Sequence, residues 1–473
     1  MVQPQFSTRQ TTPPSWFWIG FICLWGIALG LRFWGLERFN TLVFDEIYFA
    51  KFGHDYLTHT NFFDAHPPLG KYLIAVGIWL KGFNTWGFRW MNALIGSCIP
   101  LIVVGLGYQL TRRYSFALIA GILAVLDGLL LVESRYGLIN VYILTFGLLG
   151  HLLTLISSHA PKGWRQWVWL TLAGLSFGAT AAVKWNGLGF LLGLYLFWGI
   201  SRLGRLRQNH SAGSQGPPWI SLSQLSFLKL FVYIPLVGAV LYSLLWIPHL
   251  LQNPEFNFVQ VHQQMFSYHQ RVGNGPSIHP YCSTWLSWPL MLRPVSYFYQ
   301  RASSLLEPMP MMGPPLPTEN ARYIYSVYAM GNPFLWWCAT VAIALILGSV
   351  IWQGIQWFLN SKTSDPNHTP LSAEESSVSL YLATGYVANL LPWLSISRCA
   401  FLYHYMPAYL FSSLAIAWLL ERWLLSPWKR FRAISLTLLL IFALSFLFWL
   451  PFYLGLPLLP TSWQLRIWYQ SWI

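Results

Sequence analysis

Phe44-Asp45-Glu46 and Phe62-Phe63-Asp64-Ala65-His66-Pro67-Pro68-Leu69-Gly70-Lys71 follow the first long apolar run of the chain. These two segments hold three of the 14 acidic residues, together with His66 and Lys71. Charged groups are expensive to hold beside a bilayer, and where they occur they mark functional sites. The two segments therefore predict where the chemistry of this protein takes place.

The composition around these segments is that of a membrane protein. Hydrophobic residues make up 55% of the 473 residues and charged residues only 9%, whereas a soluble protein carries about 25% charged residues. The net charge of +14 comes from basic residues scattered in short loops between apolar runs. This pattern sets topology and does not form a binding stripe for nucleic acid.

The cysteines show no spacing typical of a metal site. Five are present, without any CxxC pair, and they are Cys23, Cys98, Cys282, Cys338 and Cys399. We therefore predict no metal site and no disulfide. We also expect no cofactor.

Apolar runs of the length needed to cross a bilayer, about 20 residues, predict an all-α polytopic protein with about eleven transmembrane helices. They lie near 16–36, 88–110, 115–132, 137–157, 166–183, 185–201, 228–250, 334–358, 378–396, 400–420 and 433–455. With a cytoplasmic N-terminus, every inner loop carries basic residues, as the positive-inside rule requires. These residues are Arg112, Arg113, Lys162, Arg165, Arg202, Arg205, Arg207, Lys362, Arg422, Lys429, Arg430 and Arg432.

This topology places two long segments, 37–87 and 251–332, on the extracytoplasmic face. It predicts three units: an N-terminal transmembrane catalytic module over 1–250, an extracytoplasmic loop over 251–332, and a C-terminal transmembrane region of four-helix type over 333–473. The segments 208–224 and 360–377 are polar and are predicted to be inner connectors.

Polar residues gather at the predicted outer ends of the spans, among them Arg89, Arg135, Lys184, Arg398 and His404. Guanidinium and ammonium groups at headgroup depth are suited to binding the phosphate of a lipid-linked substrate. For any one of them alone, snorkelling to the interface is an equally good explanation. Transfer of a sugar from a phosphate needs one carboxylate base. Asp45 and Glu46 are adjacent and point in different directions, so we expect different roles for them. His66 is either a polar ligand or a packing residue.

Several motifs in order resemble the protein O-mannosyltransferase family over nearly the whole chain. Beyond the two opening segments they are Phe88-Arg89-Trp90, Ser134-Arg135-Tyr136, Val183-Lys184-Trp185-Asn186-Gly187-Leu188, His279-Pro280-Tyr281-Cys282-Ser283, Arg293-Pro294, Gly331-Asn332-Pro333, Leu391-Pro392-Trp393 and Arg398 to Pro407. The resemblance implies the GT-C glycosyltransferase architecture. It also implies an inverting, metal-independent transfer of mannose from polyprenyl (dolichyl-type) phosphate mannose to Ser or Thr of exported proteins.

The resemblance implies that Asp45 is the catalytic base and that Glu46 contacts a substrate. Its candidates for substrate binding are His66, Lys71, Arg89, Arg135, Lys184, Arg398 and His404. Where the family usually has Asp, this chain has Asn140. The loop 251–332 is too short for the MIR domain of the eukaryotic enzymes, which implies a bacterial-type enzyme. Such an enzyme is expected in the plasma membrane, embedded among membrane lipids. An association with the secretion machinery is left open.

Two other functions fit the sequence. One is a related GT-C transferase that uses another polyprenyl-phosphate sugar, or a lipid or glycan acceptor. The other is a transporter of lipid-linked sugars. A transporter is expected to place its charged groups near the middle of the membrane, whereas here they gather at one end of the spans.

Overall fold

The computed structural model describes residues 12–207, 222, 224–305, 322–359 and 373–473. Most of the predicted inner connectors 208–224 and 360–377, including the basic residue Lys362, lies outside these ranges. The described helices are α1 (Ser15–Phe33), α2 (Glu46–Leu57), α3 (Leu69–Lys81), α4 (Thr85–Thr111), α5 (Tyr114–Val125), α6 (Gly128–Glu133), α7 (Asn140–His159), α8 (Trp164–Val183), α9 (Leu188–Arg207), α10 (Ile234–Gln252), α11 (Phe258–Arg271), α12 (Pro333–Leu359), α13 (Ala373–Leu390), α14 (Met406–Leu424), α15 (Lys429–Leu454) and α16 (Pro460–Gln464).

The apolar helices agree with a polytopic membrane protein. Among the described residues, six helical segments are long and apolar enough to cross a bilayer. They are Ser15–Phe33, Thr85–Thr111, Asn140–His159, Leu228–Gln252, Pro333–Gln356 and Lys429–Leu454. The total of eleven spans stays a prediction. The predicted span 115–132 is divided into α5 and α6, because the side chain of Asp127 caps α6 by accepting a 2.8 Å hydrogen bond from the Leu130 N–H.

The helices that carry the polar residues pack closely around α7. This helix contacts α4, α8 and α9. The backbones of α8 and α10 touch, since a Cβ added to Gly178 would lie 2.5 Å from the carbonyl oxygen of Gly238. Small residues permit such close helix crossings in membranes. The crossing helps to hold α8, which ends immediately before Lys184.

Both long segments predicted to be extracytoplasmic contain regular structure. The segment 37–87 forms α2 and α3. The segment 251–332 contains α11 and two antiparallel strands, β1 (Val295–Ala302) and β2 (Tyr323–Ala329). This small sheet was not predicted from the sequence. A bridge from Ile324 to Leu458 connects it to the C-terminal end of the chain.

The prediction of no disulfide is wrong. Cys282 in the segment 251–332 is bonded to Cys399, which lies between two short 3-10 turns and outside the long helices. Two backbone hydrogen bonds of 2.8 Å hold the chain segments around the two cysteines together. The Cys399 N–H donates to the Gly273 carbonyl, and the Ser283 N–H donates to the Ala400 carbonyl. The sequence separation of 117 positions between the cysteines explains the error, because local spacing carries no information about pairing over such a distance.

Candidate active site

Asp45 and Glu46 begin α2 directly after a residue with an unusual backbone. Phe44 has φ of 52°, in the left-handed region that bulky residues rarely adopt. The turn sends the two carboxylates into different surroundings. The Glu46 side chain is completely buried, whereas Asp45 is only partly buried.

Glu46 is held by hydrogen bonds on both of its oxygens. Oε1 accepts from Arg89 Nε at 2.8 Å and from the Gly137 N–H at 2.6 Å. Oε2 accepts from Arg89 Nη2 and from the Val43 N–H, both at 2.8 Å. A carboxylate bound in this way is a structural element. By contrast, no hydrogen bond reaches the Asp45 carboxylate from any residue that the structure describes.

Arg89 uses all its donors within the protein. Besides its two bonds to Glu46, Nη1 donates to the carbonyls of Leu36 and Phe39 at 2.9 Å, and Nη2 donates to the carbonyl of Thr41 at 2.8 Å. A guanidinium has five N–H groups, so none remains for a phosphate. This geometry favours a structural role for Arg89 and Glu46 over the substrate contacts predicted for them.

Arg135 binds the end of the first helix. Its Nη1 donates to the carbonyls of Leu31, Arg32 and Trp34 at 2.7, 3.0 and 2.8 Å, and its Nη2 donates to the carbonyl of Gly35 at 3.1 Å. The last carbonyls of a helix lack partners within the helix and attract cations. The geometry therefore favours a capping role for Arg135 over the predicted phosphate contact.

Lys184 lies at the end of α8 with no carboxylate bonded to it among the described residues. Its buried Nζ is 3.4 Å from Asn140 Oδ1 and 3.4 Å from His404 Nε2, which are both neutral groups, and 5.5 Å from the centre of the Tyr403 ring. The ring of His404 packs against those of Trp288 and Trp393, with centroids at 6.1 and 4.6 Å, and these two indole rings also contact each other at 5.3 Å. The ammonium of Lys184 is thus placed to receive an anion.

Arg398 is the second cation of this region. It precedes the disulfide residue Cys399 and donates from Nη1 to the Cys399 carbonyl at 3.1 Å. No other hydrogen bond from its guanidinium is found within the described ranges. The side chain is partly exposed, so its remaining N–H groups are accessible to a phosphate, unlike those of Arg89.

His66 and Lys71 differ in their availability. Lys71 is buried, forms an ion pair with Asp64, and donates to the His66 carbonyl at 2.6 Å. It therefore supports the loop that carries His66. The His66 ring lies 5.5 Å from that of His269. Burial, with the nearby positive charge of Lys184, lowers the pKa of His66 well below its usual value, so its imidazole is neutral at pH 7.

Burial also makes Asp45 a stronger base than an ordinary aspartate. It raises the pKa of Asp45 to about 6, and the negative charge of Asp64 adds to this rise while Lys184 opposes it. A general base is most effective when its pKa lies near the working pH. Asp45 is therefore ionised at pH 7 and able to accept a proton.

The structure adds residues that the prediction of the site left out. Glu133 accepts a 3.2 Å hydrogen bond from Asn140 Nδ2 and another from the hydroxyl of Tyr297. An acidic residue at the end of an apolar run is a signal that could have identified Glu133. The chain has 24 tyrosines, and nothing in the sequence distinguishes Tyr297 from the other 23. Its position in the site depends on how β1 packs.

Four of the predicted residues thus share one region, and the described protein groups leave part of the hydrogen-bonding capacity of each side chain unused. We call Asp45, His66, Lys184 and Arg398 the open cluster. Lys184 acts electrostatically on both Asp45 and His66, and Arg398 acts on His66. A carboxylate base opposite two cations can accept a proton from a hydroxyl and stabilise a leaving phosphate. Within the described residues no group of three His, Cys, Asp or Glu side chains is arranged to hold a metal.

The fold is shared with solved membrane glycosyltransferases. The chain superimposes on the yeast protein O-mannosyltransferase Pmt1-Pmt2 complex bound to the sugar donor with a TM-score of 0.80 and 15% identity, covering 98% of this chain and 94% of that chain. ArnT from Cupriavidus metallidurans bound to undecaprenyl phosphate gives a TM-score of 0.51 and 13% identity, with coverages of 93% and 74%. The protein is a polytopic membrane protein of the GT-C class.

Sequence comparison identifies the family. The model described as dolichyl-phosphate-mannose-protein mannosyltransferase matches residues 22–85 and 80–250, and that of the C-terminal four TMM region of protein-O-mannosyltransferase matches 255–472. Polyprenol-phosphate-mannose--protein mannosyltransferases of Mycolicibacterium smegmatis strain MKD8 and Mycobacterium tuberculosis strain H37Rv are 24% and 23% identical, over 92% and 97% of this chain and 88% and 92% of theirs. The chain belongs to the protein O-mannosyltransferase family.

Proposed function

We propose that this protein transfers mannose from polyprenyl-phosphate mannose to Ser or Thr hydroxyls of exported proteins. The open cluster is the observation that carries the proposal, since it places an unpaired carboxylate near Lys184, with Arg398 also near Lys184, and both cations retain capacity for a phosphate. The names of the mycobacterial relatives state the same donor and a protein acceptor.

In the proposed reaction the Asp45 carboxylate takes the proton of the acceptor hydroxyl. The hydroxyl oxygen then attacks C1 of the mannose as the bond from C1 to the phosphate oxygen breaks. A single displacement inverts the configuration at C1 and leaves a polyprenyl phosphate with one additional negative charge. Lys184 and Arg398 stabilise that charge as it develops, so the leaving group needs no proton.

The neutral groups around the cations are suited to the sugar. His66 has no side-chain hydrogen bond within the part of the chain that the structure describes, and a neutral imidazole can both donate to and accept from hydroxyls. His404 packs against two tryptophan rings beside Lys184. We propose that these two histidines contact the donor, and that Lys71 contributes by supporting the His66 loop.

We also propose that the open cluster faces the exterior of the plasma membrane and that the N-terminus is cytoplasmic. The disulfide between Cys282 and Cys399 supports this orientation, because disulfides persist in oxidising compartments and not in the cytosol. A membrane-impermeant maleimide applied to intact cells should leave both cysteines unmodified until a reductant is added, and should label them after reduction. No labelling of either cysteine after reduction would contradict the proposed orientation.

The decisive experiment measures transfer of labelled mannose from polyprenyl-phosphate mannose to a Ser/Thr-rich peptide. Membranes containing the wild type and Asp45→Asn are compared at equal amounts of folded protein. Wild-type transfer that Asp45→Asn loses supports both the reaction and the base. Parallel assays with polyprenyl-phosphate glucose and galactose test the alternative donors, and a product with either sugar but not mannose would overturn the proposed donor.

The acceptor is tested separately. The same labelled donor is offered with a Ser/Thr-rich peptide, with the peptide in which Ser and Thr are replaced by Ala, and with membrane lipids alone. We expect label only in the first reaction. Label in lipid or in the Ala peptide would replace the proposed acceptor by another. Copurification with secretion components would test the proposed delivery of acceptors by the secretion machinery.

A further inference from the structure

The backbone immediately before Asp45 is strained. Phe44 adopts φ of 52° although it is a bulky residue. A left-handed conformation at such a residue is unfavourable and persists only when its surroundings enforce it. The contacts of the Phe44 ring therefore control the direction in which the next side chain, Asp45, extends from the start of α2.

The ring of Phe44 is held by an aromatic pocket. It stacks face to face on Tyr297, with ring centroids 4.3 Å apart and planes inclined by 11°. The rings of His279, Phe401 and Tyr403 contact it edge-on, with centroids at 6.2, 6.1 and 6.2 Å. Tyr297 is the one member of this pocket that covers the face of the Phe44 ring.

Tyr297 reaches Phe44 because of an irregularity in β1. Ser296 is paired with Tyr328 and Phe298 with Val327, so Tyr297 is an additional residue without a partner on β2. Such bulges redirect a side chain and are frequent beside active sites. Here the redirected side chain is buried, and its hydroxyl donates a hydrogen bond to Glu133 at the end of α6. Tyr297 is thus fixed at its backbone and at its hydroxyl.

We propose that Tyr297 is a positioning residue for the transfer reaction. Its ring holds Phe44 in the left-handed conformation and so directs the Asp45 carboxylate into the open cluster. The small extracytoplasmic sheet thereby contributes to catalysis without contacting the substrate. This inference rests on the proposed function, because it assigns the role of Tyr297 through the base that the reaction requires.

Two substitutions separate the ring from the hydroxyl. Tyr297→Leu removes the aromatic face, whereas Tyr297→Phe keeps the ring and removes the bond to Glu133. Tyr299→Leu is the matched control, since Tyr299 is also in β1, is 41% exposed and contacts Trp463 at 5.9 Å, away from Phe44. We expect Tyr297→Leu to lower kcat for mannose transfer by about 10–100-fold. Tyr297→Phe and Tyr299→Leu should remain near the wild type, as should the KM for the donor in all three.

The pH profile distinguishes positioning from a general loss of folded protein. The charged groups facing Asp45 are Lys184, Asp64 and Glu133. When Tyr297→Leu releases the carboxylate from its partly buried position, the acid limb of kcat/KM should move from about 6 toward the ordinary aspartate value of about 4. A lower kcat with an unmoved acid limb would overturn the proposal. Equal losses in Tyr297→Leu and Tyr297→Phe would also overturn it.

A measurement without substrate separates this inference from the proposed function. Purified protein is treated with a carbodiimide and an amine, and modification of Asp45 is quantified by mass spectrometry. We expect greater modification of Asp45 in Tyr297→Leu than in the wild type, Tyr297→Phe or Tyr299→Leu. Equal modification in all four proteins would overturn the positioning role. Lack of mannose transfer by the wild type would overturn only the proposed function.

Discussion

Asp45 and Glu46 are neighbours in the chain, but they belong to two regions of opposite character. Glu46 and Arg89 form what we call the sealed network, in which every donor of the guanidinium is bonded within the protein. Asp45 belongs to the open cluster, where no protein hydrogen bond reaches the carboxylate from the described residues and Lys184 is bonded only to neutral groups. In the sealed network the protein supplies the hydrogen-bond partners of the charged groups. In the open cluster the charged groups are available to bind a substrate.

The difference shows how charges beside a membrane should be interpreted. A buried charge without a partner is costly, so the protein satisfies those it does not need for chemistry. Arg89 and Arg135 are satisfied largely by backbone carbonyls. Those that retain free capacity, such as Arg398, are the better candidates for substrate binding.

The strongest test of the comparison is to neutralise the two adjacent carboxylates separately. Asp45→Asn should fold normally and lose about 10²–10⁴ in the rate of mannose transfer, the usual contribution of a general base. Glu46→Gln should instead lose folded protein, because breaking a buried ion pair costs about 3–5 kcal/mol. Transfer per folded molecule and thermal stability in detergent measure the two effects. Similar losses of both quantities in both variants would abolish the distinction between the regions.

A second test compares the two arginines. Arg398→Gln should lower kcat/KM by about 10²–10³, which is typical for the loss of one donor to developing negative charge, with little change in stability. Arg89→Gln should mainly reduce stability, since its partner Glu46 remains buried. Steady-state kinetics with varied donor concentration and thermal unfolding measure these outcomes. If Arg89→Gln were fully stable but unable to bind the donor, Arg89 would have to be reassigned to the open cluster.

The smallest expected effect is the pH dependence of the wild type. With the pKa of Asp45 raised to about 6, the base is ionised above pH 6 and protonated below it. The value of kcat/KM should therefore rise about tenfold per pH unit below 6 and become constant above it. Transfer assays from pH 4.5 to 8 check this profile. An acid limb near 4 would mean that Asp45 is fully solvated in the working enzyme.

The fold was predictable in outline from the pattern of apolar runs. The predicted segments near 16–36, 88–110 and 433–455 correspond to α1, α4 and α15. The division of the predicted span 115–132 was not predicted, because it depends on the capping bond made by Asp127. The β-sheet of the segment 251–332 was also missed, since its strands are short and lie 20 residues apart, between Ala302 and Tyr323.

The site was predictable as a set of residues but not as an arrangement. The charged motifs identified Asp45, Lys184 and Arg398, which the structure brings to one region. The same motifs also selected Arg89, whose donors are all used by the protein itself, and Arg135, whose Nη1 and Nη2 groups bond to backbone carbonyls. The sequence shows the residue types but not their hydrogen-bond partners in the fold. Those partners determine which charged side chain remains available for a substrate.

The sequence by itself determined that this is a multi-pass membrane protein, and its ordered motifs were sufficient to indicate the family. Both follow from local composition and from short motifs that need no contacts to be recognised. Only the tertiary structure decided that Glu46 is bonded to Arg89 and that Cys282 is joined to Cys399. It also decided that Tyr297 stacks on Phe44. Each of these contacts joins residues far apart in the chain, so only folding brings them together.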